Sequence, residues 1–347
     1  MKMWSSFRLV PAALLLLTAC VHQPISLPRT PVTAAPPPAT GYLARDDVRQ
    51  FIVDVAGRQS LEKSWLEQAF AGAHRRQPIL DAIAKPYEAK PWYQYEPLFL
   101  SEARIAGGLD FWNAHAELLA KAETQYGVPA RIIVAILGVE TFYGRQRGGY
   151  PVMDALTTLG FDYPPRAPFF RSELEQYLLM CHEQSFDPLT LMGSYAGAMG
   201  APQFMPDSFR QYAVDFDGDG KRDLWNDWAD IIGSVANYFQ QHGWQGDGVL
   251  AVPAALAAGA QPPATLQVST VGALRQAGVM LTQGLDDGAE AMLVALEEEH
   301  ETRYWVVLHN FRVITQYNKS PLYAMAIVEL ADAVADRRTA ELHVAPP

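Results

Sequence analysis

The segment "RIIVAILGVETFYGR", Arg131 to Arg145, decides how the rest of the chain is read. Every residue from Ile132 to Val139 is apolar or glycine, and a helix that is apolar all round is a buried one. Gly127 reads as the stop of the preceding helix and Pro129 as a first-turn residue, so the spacing predicts a helix from about Pro129 to Thr141. Glu140 then lies three turns along, near the negative end of the helix dipole. Apolar surroundings and that dipole both disfavour a carboxylate, so its pKa is expected to rise. A carboxylic acid that keeps its proton near neutral pH is what general-acid cleavage of a glycosidic bond needs. Taken alone, a glutamate at a helix end is more often a structural residue.

Around this segment the pattern is mainly helical. "RDDVRQFIVDVAGR", "SLEKSWLEQAFAGA" and "FWNAHAELLAKAETQYG" precede it with helical spacing, and further helices are expected at Phe169–Gln184, Ile231–His242 and Tyr323–Val334. Ala251 to Gln261 reads as an Ala-rich stretch with Gly and Pro. Ala291–Leu296 and Arg303–Leu308 read as two β-runs joined by a charged turn. The fold class expected is mainly α (α+β), with a small mixed insertion and no internal repeat.

The 347 residues are 49% hydrophobic, enough for a large core and two or three domains. A net charge of −11 without any basic stripe argues against nucleic acid as a partner. At the front, Lys2 and Arg8 precede a short apolar run, Leu9 to Leu17, which is closed by "LTAC", Leu17 to Cys20. The run is too short to span a membrane and reads as a signal segment. L-T-A-C resembles a bacterial lipobox, which implies that Cys20 becomes the lipidated first residue; an ordinary signal peptide is the alternative. Val21 in place of aspartate favours the outer membrane by the same resemblance. Val21 to Gly41 holds six prolines and reads as an extended tether reaching about 65 Å. Only Cys181 remains beyond Cys20, so no intramolecular disulfide is available, and its helical setting predicts that it packs.

The most specific local pattern is "DFDGDGKRDLWNDWAD", Asp215 to Asp230. Asp215, Asp217 and Asp219 alternate, Gly220 permits a sharp turn, and Lys221 is placed to offer its backbone carbonyl. That matches the first half of an EF-hand loop for Ca²⁺. The second half departs from it, because the terminal glutamate position falls on Asn226 and Asp227 and Asp230 come later. An acidic surface turn is the alternative. A single loop of this kind suits a structural clip better than a sensor.

"GSYAGAMGAPQFMPDSF", Gly193 to Phe209, sets small residues around Gln203, which can hydrogen-bond hydroxyl or acetamido groups. Eight Trp and fifteen Tyr, among them Trp92, Tyr93 and Tyr95, provide rings for sugar stacking or for a core.

"GVETFYGR", "DALTTLGFDYPPRAPFFRSELEQYLLM", "GSYAGAMGAPQFMP", the aspartate loop followed by "GSVANYF", and "ITQYNKSPLYAMAI" come in one order. Together they resemble the membrane-bound lytic murein transglycosylase B family over about Phe51 to Val334. Phe142-Tyr143 and Ala201-Pro202 depart from the family, which often has Arg-Trp and Tyr-Gly there. The resemblance implies a lysozyme-like core at 136–246 with the calcium loop at 215–230. It also implies a helical domain at 42–135, completed by about 311–343, and a small α/β domain at 247–310. Residues 1–19 would be the signal peptide and 20–41 the tether. The implied substrate is the MurNAc-β-1,4-GlcNAc glycan of peptidoglycan, cut by Glu140 alone as acid and then base to leave a 1,6-anhydro end. Ser194, Gln203, Tyr238, Asn318, Tyr323 and Tyr95 would line the glycan groove. Asp215, Asp217, Asp219, Lys221 through its carbonyl, and Asp230 would hold a structural Ca²⁺. The chain would sit on the periplasmic face of the outer membrane through Cys20. A hydrolytic muramidase on the same fold, with Asp154, Asp162 or Glu173 as second acid, and a non-catalytic glycan-binding lipoprotein are the alternative readings.

Overall fold

The structure is a computed structural model that describes residues 41–84 and 90–344. The signal peptide, Cys20 and all but the last residue of the tether lie outside the described residues. Six helices, α1 (Asp46–Gln59), α2 (Lys63–Ala71), α3 (Gln77–Ile83), α4 (Trp92–Tyr95), α5 (Glu102–Ala114) and α6 (Ala116–Tyr126), lead to the central one, α7 (Ala130–Thr141). Ser101 starts α5 by accepting a hydrogen bond from the Arg104 backbone N–H. Gly127 closes α6 in the left-handed region at φ 70°, donating its N–H to the Glu123 carbonyl. Pro129 is the cap before α7 rather than its first residue.

Helix α7 is buried from Ile132 through Val139. It needs no polar face because other helices surround it: α5, α6, α11 (Trp228–Gln241) and above all α14 (Pro321–Val344). Between them, α8 (Val152–Asp162) and α9 (Ala167–Gln184) pack along one another, and α10 (Pro206–Tyr212) rests on α9. Two short strands, β1 (Tyr150–Pro151) and β2 (Met192–Gly193), pair antiparallel and set the start of the Gly-rich segment near the end of α7.

The five-stranded sheet comprises β3 (Ala251–Leu256), β4 (Ser269–Thr270), β5 (Val279–Leu281), β6 (Glu290–Glu297) and β7 (Thr302–Val307), in the order β4-β6-β7-β3-β5. Strand periodicity divides β6 between two cores. Ala291 and Leu293 pack with Val271 and Leu274 of α12 (Val271–Gln276), while Met292, Val294 and Leu296 join the main helical core. The sheet is therefore covered on both faces. α13 (His309–Tyr317) then returns the chain to the helical body and α14 ends it.

Two sequence expectations change. Ala251–Leu256, read only as part of an Ala-rich stretch with Gly and Pro, is an inner strand paired with both β7 and β5. Alanine and proline are weak strand formers, and the pairing partners on either side override that preference. Helix α14 continues to Val344, well past Val334. Cys181 is buried, and burial pushes its thiol up to about 12, which leaves it an inert packing residue.

Candidate active site

Glu140 sits in the last turn of α7. Its backbone belongs to a buried helix, while its side chain remains partly exposed, so a ligand can reach it. The Tyr323 hydroxyl, in the first turn of α14, donates a 2.6 Å hydrogen bond to Glu140 Oε1. Desolvation by the surrounding protein raises the Glu140 pKa to about 7, and the Tyr323 hydrogen bond opposes that rise. Among the described residues no other carboxylate contributes to the shift. Burial pushes the pKa values of Tyr323 and Tyr317 well up, and the nearby Glu140 charge adds to that rise.

The chain next to Glu140 is anchored tightly. Thr141, buried, donates its hydroxyl to the Ala201 carbonyl at 2.8 Å and accepts the Gly144 N–H at 3.0 Å. Phe142 and Tyr143 follow in the left-handed region, at φ 50° and 58°, and Tyr143 donates its hydroxyl to the Arg104 carbonyl at 2.9 Å. Two successive bulky residues with positive φ cost free energy that only a well-packed surround sustains. The Arg104 guanidinium supplies part of that surround by donating to the Gly138 carbonyl.

The expected groove residues fall into three settings. Tyr323 contacts Glu140 directly. Gln203 stands at φ 53° and donates its amide to the Arg147 and Gly200 carbonyls, so it shapes the loop between α7 and the Gly-rich segment. Ser194 Oγ accepts the backbone N–H groups of Ala196 and Ala198 and holds the same Gly-rich segment in a tight turn. Asn318 ends α13 and turns the chain towards α14 by accepting the Ser320 N–H through Oδ1, leaving its amide N–H₂ as the donor available to a ligand. Tyr238 is buried in an aromatic cluster with Tyr317 (4.8 Å between ring centroids) and Phe204, and its hydroxyl donates to the Gln316 carbonyl. Tyr95 is buried beside Phe99 and exerts an electrostatic effect on Tyr323. Sequence reasoning did not single out Thr141, Arg104 or Tyr317. Their partners are distant in sequence, and no local pattern signals them.

The three carboxylates considered as a second acid are engaged elsewhere. Asp154 accepts from the His74 backbone and from Arg76, both at 2.7 Å. Asp162 binds Arg45 and the Tyr42 hydroxyl. Glu173 accepts the Asp207 N–H at the start of α10; burial raises its pKa to about 7 as well, yet its role is to cap that helix.

The aspartate loop brings carboxylate oxygens of Asp215, Asp217 and Asp230 within 4.8 Å of one another. Asp215 gathers three backbone N–H groups, Gly220 foremost, which hold its pKa below the usual range. Burial pushes Asp230 up to about 6. Three converging hard oxygen donors, one of them desolvated, fit a divalent cation such as Ca²⁺. Asp219 is not in that triad, and its Oδ1 accepts the Lys221 N–H. Asp227 caps α11 by accepting from Ala229 and Asp230.

Comparison with known proteins places this geometry in context. Residues 44–332 match the transglycosylase SLT domain family. The chain is 41% identical over 299 residues, 83% of this chain and 82% of the relative, to membrane-bound lytic murein transglycosylase B of Escherichia coli (strain K12). It resembles the crystal structure of the soluble lytic transglycosylase SltB1 from Pseudomonas aeruginosa, with a TM-score of 0.80 and 49% identity over 84% of this chain and 99% of that one. The Escherichia coli lytic transglycosylase Slt35 in complex with calcium gives a TM-score of 0.80 and 40% identity, over 86% of this chain and 96% of that one.

Proposed function

Because the chain belongs to the transglycosylase SLT domain family, and is a lytic transglycosylase acting on peptidoglycan, we propose that Glu140 alone carries its proton transfers. The observation that supports this is the pairing of a carboxyl group raised to about 7 with a single hydroxyl donor, Tyr323, at 2.6 Å.

Tyr323 holds Oε1, so Oε2 is the oxygen that exchanges the proton. Protonated Glu140 gives that proton to the glycosidic oxygen between MurNAc and GlcNAc as the bond breaks. The carboxylate that results is stabilised by Tyr323 and then takes the proton from the MurNAc C6 hydroxyl. That oxygen attacks C1 and closes the 1,6-anhydro ring, so no water is consumed. A hydrolase would need a second carboxylate to place water, and Asp154, Asp162 and Glu173 have other partners. Ser194, Gln203 and Asn318 orient the glycan, while Tyr238 and Tyr95 support the groove from within.

In this proposal Asp215, Asp217 and Asp230, completed by Asp219 and the Lys221 carbonyl, hold a structural Ca²⁺, which supplies a rigid clip and no chemistry. The relative named membrane-bound supports a membrane association. We assign that to a lipid on Cys20 at the periplasmic face of the outer membrane, a reading supported by the resemblance of L-T-A-C to a lipobox. Replacing Cys20 with Ala then moves the protein to the soluble fraction.

The test of the catalytic assignment is Glu140→Gln. It keeps the shape and an acceptor for Tyr323, and it should lower cleavage of purified peptidoglycan by at least about 10³-fold. Cleavage within about tenfold of wild type contradicts the assignment.

A further inference from the structure

We propose that Arg145, stacked on Phe142 with Arg104 behind it, is a carboxylate-binding subsite that engages the peptide stem of peptidoglycan next to the bond being cut. The inference rests on the transglycosylase reading and deepens it.

Starting at the groove, rings and guanidinium groups alternate outward from the catalytic acid. Tyr95, which acts on Tyr323, lies 5.0 Å from Phe99 between ring centroids. The Arg104 guanidinium carbon is 5.3 Å from the Phe99 ring and 4.9 Å from the Phe142 ring. Arg145 covers the same Phe142 ring, again at 4.9 Å. Phe142 thus carries two guanidinium groups, and it does so two residues after Glu140. Desolvation lowers the Arg104 pKa, and its Nε is buried without a hydrogen-bond partner.

The charges in this ladder are unbalanced. Among the described residues neither Arg104 nor Arg145 forms an ion pair, although Arg45, Arg131, Arg210 and many others in this acidic chain do. Two cations sharing one ring repel each other, and an anion on the exposed member relieves that repulsion. Arg145 is exposed and free to meet a ligand. Phe142 and Tyr143 both stand in the left-handed region, and such strain is kept where a site needs it.

The chemistry selects the ligand. The glycan sugars near the scissile bond are neutral rings, whereas the stem attached to MurNAc carries carboxylates. A guanidinium binds a carboxylate through two parallel N–H···O bonds, and stacking on Phe142 presets its plane.

The experiment compares glycan strands bearing stems with strands stripped of stems by an amidase, using the complete folded protein. Arg145→Ala should lower the ratio of kcat/KM for stem-bearing over stem-free strands about tenfold, through KM. Arg145→Lys should recover part of that ratio, and Phe142→Leu should lower it with both arginines retained. Equal losses on both substrates, or no loss on either, overturn the proposal. Binding of the two strand types to Glu140→Gln separates the failures. Equal binding of both overturns the stem subsite alone. An Arg145-dependent preference for stems, alongside a wild-type protein that gives no anhydro product, supports the subsite and contradicts the transglycosylase reading.

Discussion

At the scale of single residues, Glu140 and Tyr323 set the pH response. A free-enzyme pKa of about 7 means that the acid form is present below pH 7 and lost above it, so kcat/KM should fall about tenfold per pH unit beyond that point. Tyr323→Phe removes the donor that favours the carboxylate. The alkaline limb should therefore move upward while kcat drops about ten- to a hundredfold, a pair of changes read in one pH–rate series. An unchanged limb would separate Tyr323 from the acid. The same shift has a stability consequence of defined sign. The folded pKa is raised above the ordinary 4.5, so between about 4.5 and 7 the folded state holds more protons than the unfolded one, and Glu140 costs stability as pH rises through that window. Glu140→Gln should therefore melt at a higher temperature than wild type at pH 8, by up to ~3 kcal/mol of stability, and close to it at pH 4.

At the scale of elements, the central helix was legible because its whole circumference is apolar, which leaves one interpretation, and its terminal glutamate stands out against that background. The aspartate loop was legible for a similar reason, since alternating carboxylates followed by glycine are a local pattern. Strand β3 was not, because alanine and proline prefer no strand and its identity comes from β7 and β5 on either side. The Tyr323–Glu140 bond was only partly legible: the motif placed Tyr323 at the groove, but its partner lies on another helix. Packing at the Gly-rich segment gives an element-scale prediction. Gly200 has φ 68°, and a β-carbon there would lie 2.3 Å from the Leu224 carbonyl oxygen. Gly200→Ala should cost about 2–4 kcal/mol, seen as a lowered melting temperature. A neutral result would mean that the segment does not need its close approach to the aspartate loop.

Across the whole molecule, that approach links the aspartate loop to Glu140. The Ala201 N–H donates to the Leu224 carbonyl at 2.9 Å, and the Ala201 carbonyl accepts the Thr141 hydroxyl at 2.8 Å. Two hydrogen bonds thus connect the loop that gathers Asp215, Asp217 and Asp230 to the residue after Glu140. Arg147, which donates to the Trp225 carbonyl, and Trp225 Nε1, 3.0 Å from the Met192 carbonyl, tie the same loop to both flanks of the groove. Chelation of calcium should lower the melting temperature and reduce kcat more than it raises KM, with both restored by added Ca²⁺. A melting temperature indifferent to chelator would remove the clip from the account.

The central claim is that one carboxyl group closes an anhydro ring without water. The measurement that tests it most directly is the mass of the muropeptides released when the protein digests purified peptidoglycan. The account predicts products one water lighter than hydrolytic muropeptides, carrying 1,6-anhydro-MurNAc ends. Products of full hydrolytic mass with free reducing ends would contradict it and require a second acid beside Glu140.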